Sequence, residues 1–65
     1  GLMDRYYMIE DGQGTYYLVE TKTHRILEHI CGISNFITVC ATQYGMKARV
    51  LNTLFSARKR NVNPI

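Results

Sequence analysis

Two short runs of aromatic and β-branched residues near the start of the chain predict a β-hairpin. They occupy residues 5–9 and 15–20, and both contain adjacent tyrosines. Between them, residues 11–14 supply two glycines, which readily adopt the positive φ angles of hairpin turns. We therefore expect antiparallel strands over residues 5–20.

Both faces of this hairpin are apolar or aromatic. Side chains of a strand alternate between its two faces, so Tyr6 and Tyr7 point to opposite sides, as do Tyr16 and Tyr17. A two-stranded ribbon is marginally stable in water unless it packs against something. We expect helices on one face and a dimer or partner interface formed by these four tyrosines, with a platform for stacked nucleic-acid bases as the alternative.

Residues 23–31 are compatible with two kinds of element. A helix groups the apolar side chains into one stripe, made of Ile26, Leu27, Ile30 and Cys31. Thr23 then caps its start and Gly32 lies at the position of a C-terminal glycine. A strand instead places Glu28 between two isoleucines on one side. We expect a short helix, with the third strand of a meander as the alternative.

Two further stretches have the spacing of amphipathic helices. Ser34 and Asn35 are suitable caps for a helix that begins near Phe36. After Gly45 the apolar period resumes with Met46, Val50, Leu51, Leu54 and Phe55. Residues 61–65 are expected to form a frayed tail. The predicted fold is α+β, with an N-terminal β-hairpin packed on three short helices, the last two forming a helix-turn-helix.

Residues 37–56 have the spacing of a helix-turn-helix. Ala41 lies four positions before Gly45, so that a small side chain permits close helix approach and a glycine permits the turn. The apolar positions that follow are Met46, Leu51 and Leu54. This segment resembles the helix-turn-helix of phage Cro/repressor-type DNA-binding proteins. The resemblance implies a recognition helix over about residues 47–58 that enters the major groove of DNA.

Charge is distributed unequally along the chain. The formal net charge is +3, but all five acidic residues lie within the first 28 positions, where three bases accompany them. Residues 29–65 contain no carboxylate and five basic residues. This asymmetry favours a polyanion or an acidic protein surface as the partner. The candidate DNA-binding residues are Lys47, Arg49, Asn52, Thr53, Ser56, Arg58, Lys59 and Arg60.

The residue types of this set suit DNA. Arg49 and Asn52 carry side chains that make paired hydrogen bonds to base edges, whereas Lys, Thr and Ser contact phosphates. Lys47 lies beside the positive end of the predicted helix dipole, an unfavourable position that a bound phosphate would make favourable. We expect sequence-specific binding of double-stranded DNA by a small transcriptional regulator of phage, plasmid or bacterial type.

A second hypothesis comes from a different functional class. A small phage or mobile-element protein could use the basic helix and the aromatic hairpin to bind and inhibit a host protein. In that case Tyr7 or Tyr17 would dominate the affinity, because aromatic anchors dominate such interfaces.

Length limits the remaining possibilities. The 65 residues form one small domain, and a core of this size rarely provides more than about 3–5 kcal/mol. We therefore expect a homodimer. No apolar run is long enough to span a membrane and no signal-peptide pattern is present, which indicates a cytoplasmic protein. Gly1 and Leu2 are interpreted as a remnant of cloning, with Met3 as the natural start.

Candidate catalytic and metal-binding residues are few. Cys31 and Cys40 are expected to be free thiols. With His24 and His29 they match no familiar metal-ligand spacing, so we expect neither a metal nor another cofactor. No Ser, His and Asp or Cys and His residues occur in a recognisable catalytic motif, and we expect a protein that is not an enzyme.

Overall fold

The part of the chain that the structure describes forms one β-sheet with two helices on one of its faces. A computed structural model describes residues 4–57 and the backbone of residues 59–60. The elements are β1 (Tyr6–Glu10), β2 (Thr15–Glu20), β3 (Ile26–Cys31), α1 (Ile33–Gln43), α2 (Ala48–Ser56) and β4 (Lys59–Arg60). The sheet order is β3-β2-β1-β4; β1, β2 and β3 pair antiparallel, whereas β4 pairs parallel to β1. The α+β class predicted from the sequence is confirmed.

The predicted hairpin is present as β1 and β2. The turn between them is closed by Asp11, whose Oδ1 accepts hydrogen bonds from the backbone N–H of Gln13 at 2.7 Å and of Thr15 at 3.1 Å. Gly12 and Gly14 have φ angles of 81° and 89°, which residues with a side chain rarely adopt. The glycine and aspartate positions therefore determine where the chain reverses.

The prediction of a helix over residues 23–31 is wrong, because Ile26–Cys31 is a strand. An isolated helix of this length is marginal, whereas a strand here satisfies the second edge of β2 with backbone hydrogen bonds. Tyr16 pairs with Ile30 and Leu18 with Glu28, and Ile30 packs against the core. The first of the three predicted helices, over residues 23–31, is thus replaced by β3, the third strand of an antiparallel meander.

Helix α1 begins earlier than predicted. It starts at Ile33 rather than near Phe36, and Gly32 rather than Ser34 or Asn35 is its N-cap residue. The amide of Asn35 instead donates a hydrogen bond to the carbonyl oxygen of Cys31 at 3.0 Å, which joins the first turn of α1 to the end of β3. Gly32, with φ 95°, therefore begins a helix and does not end one.

The core lies between the helices and one face of the sheet. Helix α1 packs against β2 and β3, and α2 packs against β1. The buried side chains of this core are Met8, Leu18, Phe36, Cys40, Met46 and Leu54. Because each helix has its own contact with the sheet, the sheet is the surface that positions both.

The turn between the helices contains the predicted glycine in a left-handed conformation. Gly45 has φ 64°, and the following N–H of Met46 donates a hydrogen bond to the carbonyl oxygen of Cys40 at 3.1 Å. Ala41 is exposed, however, so the expectation that it lies at a close helix–helix contact is wrong. The reason is that α1 buries Phe36 and Cys40 towards the sheet, which turns Ala41 outwards.

Some sequence predictions concern residues outside the described part of the chain. These are the cloning remnant, Gly1 and Leu2, and the tail at residues 61–65. The recognition helix predicted over about 47–58 corresponds to α2, Ala48–Ser56, and Arg58 is not described. No helix in the described residues is both long and apolar enough to cross a membrane.

Candidate functional site

The outward face of α2 carries most of the residues predicted to contact DNA. Arg49, Asn52, Thr53 and Ser56 are all exposed. Their spacing of i, i+3, i+4 and i+7 places them on one side of the helix. The opposite side packs on the core through Val50, Leu51, Leu54 and Phe55. Burial of the apolar stripe therefore fixes which polar side chains face outwards.

Two of these side chains already donate hydrogen bonds within the helix. The Oγ1 of Thr53 donates to the carbonyl oxygen of Arg49 at 3.0 Å, and the Oγ of Ser56 donates to that of Asn52 at 2.8 Å. Their hydroxyl protons are therefore committed to the backbone. The donors of this face that have no partner among the described residues are those of Lys47, Arg49 and Asn52, the groups best suited to phosphates and base edges.

The N-terminus of α2 adds further donors beside Lys47. Lys47 is the N-cap residue, with extended backbone angles of φ −84° and ψ 168°, and no described side chain caps the helix. The first intrahelical bond at this end runs from the N–H of Leu51 to the carbonyl oxygen of Lys47 at 2.9 Å. The earlier N–H groups form the positive end of the helix dipole, where an anion binds favourably.

The surface formed by the two helices contains no carboxylate. The sequence has no acidic residue after Glu28, and the carboxylate of Glu28 accepts a hydrogen bond from the hydroxyl of Tyr44 at 2.7 Å. Lys47 and Arg49 therefore lie on a helix surface with no opposing charge of its own. The electrostatic field of these cations attracts polyanions over distances comparable to the Debye length, about 8–10 Å in physiological salt.

The last basic residues are located only in part. The backbone of Lys59 and Arg60 forms β4, in register with Ile9 and Glu10 of β1. This strand was not predicted, because two residues are too few for a period to be recognised. The sheet thus brings the backbone of the basic C-terminal segment to the edge of β1, the strand on which α2 packs.

The four tyrosines of the hairpin are divided between the two faces of the sheet. Tyr6 meets Tyr44 with ring centroids 5.5 Å apart, and Tyr16 meets Phe36 at 5.6 Å. Both therefore contribute to the helix-covered core. Tyr7 and Tyr17 lie on the opposite face, so only this pair is placed to contact a partner there.

We call this opposite face of the sheet the tyrosine face. Its strand positions are Tyr7, Ile9, Thr15, Tyr17, Val19, Ile26, His29 and Cys31. The ring of Tyr17 stacks on that of His29 with centroids 4.9 Å apart and an interplanar angle of 16°. The hydroxyl of Tyr7 lies 3.1 Å from Nδ1 of His24. Two aromatic pairs therefore belong to this face, and the Tyr7–His24 pair lines an open cleft together with Leu54 and Ala57.

The two histidines were not among the predicted site residues. His29 was placed on a helix by the sequence, and only the strand assignment of residues 26–31 puts it opposite Tyr17. His24 adopts φ 60°, a left-handed conformation in which His is more common than most residues. One signal was available. If residues 26–31 form a strand, their side chains alternate with a period of two, and His29 can then lie on the same face as Tyr17.

Other features of the surface provide less chemistry. Two open clefts of about 480 and 510 Å³ lie where β1 begins and β2 ends, and they share Asp4, Tyr6 and Thr21. Their charged lining residues include both signs. Among the described residues, no group of three or more His, Cys, Asp or Glu side chains is arranged to hold a metal ion.

The two cysteines are free thiols in different environments. Cys31 is exposed, whereas Cys40 is buried in the core. Burial, together with the nearby negative charge of Glu28, raises the pKa of the Cys40 thiol to about 11. Cys40 is therefore protonated at neutral pH, and its role is that of a small apolar core side chain.

Comparison of the chain with protein-family models, with curated proteins and with solved structures finds no match, so its function is inferred from these surfaces alone.

Proposed function

We propose that this protein binds double-stranded DNA through the exposed face of α2 and that it acts as a small sequence-specific regulator of transcription. The observation that carries the proposal is that Lys47, Arg49 and Asn52 are exposed together at the start of a helix that has no carboxylate of its own. A helix with its apolar side on a sheet and its polar side outwards has the width to enter the major groove.

Each of these residues has a distinct role in the proposed complex. Lys47 and the uncapped N–H groups of the first turn bind one phosphate at the helix N-terminus. Arg49 and Asn52 lie on the adjacent outward positions and make the hydrogen bonds to base edges. The helix-turn-helix resemblance assigns the same segment to the groove, and the left-handed Gly45 is compatible with it.

The test is a fluorescence-anisotropy titration of the protein against labelled duplex DNA at about 50 mM and about 200 mM salt. If Lys47, Arg49 and the basic residues at 58–60 all neutralise phosphates, a plot of the logarithm of the association constant for duplex DNA against the logarithm of the salt concentration has a slope of about −4 to −5. Selection of a preferred duplex from a random pool then provides the substrate for the variants.

The variants separate positioning contacts from base contacts. Lys47→Ala is expected to weaken binding to all duplexes alike and to reduce the magnitude of the salt slope by about one. Arg49→Ala or Asn52→Ala is expected to reduce the binding free energy for the selected duplex by about 1–3 kcal/mol and to relax the base preference of the protein. Arg5→Ala, which removes an exposed cation just before β1, is the matched control. No binding at the lower salt, or an equal loss in the control, contradicts the proposal.

A further inference from the structure

The tyrosine face is a second surface that the DNA-binding proposal does not use. Both helices contact the other face of the sheet, where Met8 and Leu18 are fully buried. The tyrosine face is thus the outer surface of the sheet in the described part of the chain. Its central residue, Val19, is only 1% exposed, because Tyr7 and Ile26 lie opposite it on the neighbouring strands.

This face presents two aromatic pairs beside the exposed side chain of Ile26. Tyr17 and His29 form a parallel stack, and β3 is the edge strand on that side, so no other strand lies beyond His29. Tyr7 and His24 form a second pair with centroids 6.1 Å apart and rings inclined by 65°. Tyr7 and Tyr17 are diagonal neighbours across β1 and β2, a separation of about 7–8 Å between backbones.

The acidic residues of the sheet all belong to the other face. Glu10 pairs with Tyr16, Glu20 with Tyr6, and Glu28 with Leu18, which places the three carboxylates in the register of the helix-covered side. The strand positions of the tyrosine face include no carboxylate. Exposed Lys22 and Arg25 flank His24 at one end of this face. A ligand with flat rings and negative charge meets rings and the cations Lys22 and Arg25 at this end, where Asp4 also lines the cleft of Tyr7 and His24. The strand positions around the Tyr17–His29 stack carry no carboxylate.

We propose that the tyrosine face binds single-stranded nucleic acid, with bases stacked on the Tyr17–His29 and Tyr7–His24 pairs. Every base has a π-face, so such stacking needs no particular sequence, and each stacked base contributes substantially to affinity. The cations beside His24 bind the phosphate backbone. The Tyr17–His29 stack and α2 lie on opposite sides of the sheet, whereas the Tyr7–His24 pair lines a cleft together with Leu54 and Ala57 at the C-terminal end of α2.

A second copy of the chain fits this face less well. Val19, the central residue of the face, is already buried within one chain and would add no contact between two copies. Packed sheets lie about 10 Å apart, with the helices outside. The two α2 helices would then face in opposite directions, and one DNA duplex could not contact both.

The experiment is a titration of the full chain into fluorescein-labelled poly-U and poly-dT oligonucleotides of about 10 nucleotides. Anisotropy reports binding, and quenching of the intrinsic tyrosine fluorescence reports stacking, since the chain has no tryptophan. Tyr17→Leu is expected to weaken binding about tenfold or more, whereas Tyr17→Phe, which keeps the ring, binds within about twofold of the parent.

The controls distinguish this site from α2 and from self-association. His29→Leu should weaken single-strand binding as Tyr17→Leu does, while duplex binding by both variants stays unchanged; Arg49→Ala has the opposite selectivity. Circular dichroism establishes that each variant is folded. Absence of single-strand binding by the folded parent overturns the proposal. A dimer in sedimentation equilibrium that Tyr17→Leu dissociates also overturns it, since the face is then occupied by a second copy.

Discussion

At the scale of single residues, one hydrogen bond joins the sheet to the segment that follows α1. The hydroxyl of Tyr44 donates to Oε2 of Glu28 at 2.7 Å, and the ring of Tyr44 packs on Tyr6. Burial and this bond to a carboxylate raise the pKa of Tyr44 to about 12. The bond therefore supplies a partly buried carboxylate with the donor it needs.

Removing this hydroxyl should destabilise the protein. We expect Tyr44→Phe to lower the free energy of unfolding by about 1.5–3 kcal/mol, because hydrogen bonds to charged groups are worth about that much. Urea denaturation followed by circular dichroism measures it. Tyr17→Phe is the control, since no hydrogen bond of the Tyr17 hydroxyl occurs within the described residues, and it should change stability little. Equal stability of Tyr44→Phe and the parent would contradict the expected role of the bond.

At the scale of elements, the hairpin and the helical turn were predictable because both depend on local chemistry. Glycine and aspartate determine the reversal after β1, and Gly45 determines the reversal after α1. Such residues act through backbone conformations that few others adopt, so their effect does not depend on the rest of the fold. The predicted α2 was recognisable for a similar reason, since its apolar stripe repeats over more than two turns.

Gly45 provides a test of this local determination. An added Cβ would meet no atom within 4 Å, so Gly45→Ala affects only the backbone, which must hold φ 64°. The left-handed conformation costs a residue with a side chain about 1–2 kcal/mol, and the stiffer unfolded chain returns part of this. We expect a net loss of about 1 kcal/mol in the free energy of unfolding.

Gly45→Asn is the matched substitution, because asparagine visits the left-handed region more readily than alanine. It should lose less stability than Gly45→Ala in the same urea titration. If alanine were tolerated as well as asparagine, the turn would not depend on the left-handed conformation at this position.

Neither the strand β3 nor the distribution of the four hairpin tyrosines between the two faces of the sheet could be predicted from neighbouring residues in the sequence. Residues 26–31 contain apolar side chains compatible with both periods, and pairing with β2 selects the strand. That choice then places His29 against Tyr17. Ala41 was misplaced for a related reason, since the helices meet through Phe36 and Phe55, and Ala41 is exposed outside this contact.

At the scale of the whole molecule, two buried protons couple stability to alkaline pH. The pKa of Cys40 is raised to about 11 and that of Tyr44 to about 12, both above their ordinary values of 9.0 and 10.0. The folded state therefore retains these protons at pH values where the unfolded chain has lost them. Stability from this source is complete below about pH 9 and is lost progressively as the pH rises through about 9–12.

The expected result is a free energy of unfolding that is level between about pH 7 and 8.5 and then falls by up to about 1.4 kcal/mol per pH unit for each group. Urea titrations across this range measure it. Glu28→Gln should make the fall shallower, because the carboxylate contributes to both raised pKa values. A level free energy up to about pH 10.5 would contradict the inferred burial of the two protons.

The two surfaces of the molecule follow from its asymmetry. The sheet lies between the two helices and the tyrosine face. The helices carry no carboxylates of their own, and the acidic side chains of the strands are on the same side of the sheet as the helices. The proposed duplex binding by α2 and the proposed single-strand binding by the tyrosine face are therefore expected to be separable by single substitutions, Arg49→Ala on α2 and Tyr17→Leu on the tyrosine face. Variants of one surface serve as controls for the other.

The sequence by itself determined the hairpin, the glycine turns, the amphipathic α2 and the unequal distribution of charge, because each depends on residues close together in the chain. Only the tertiary structure decided that Ile26–Cys31 is a strand, and that Tyr6 and Tyr16 lie on the face that packs against the helices while Tyr7 and Tyr17 lie on the opposite face. A strand with two apolar faces gives no local preference for either face. The choice is made by which face the helices bury, and that depends on contacts between distant parts of the chain.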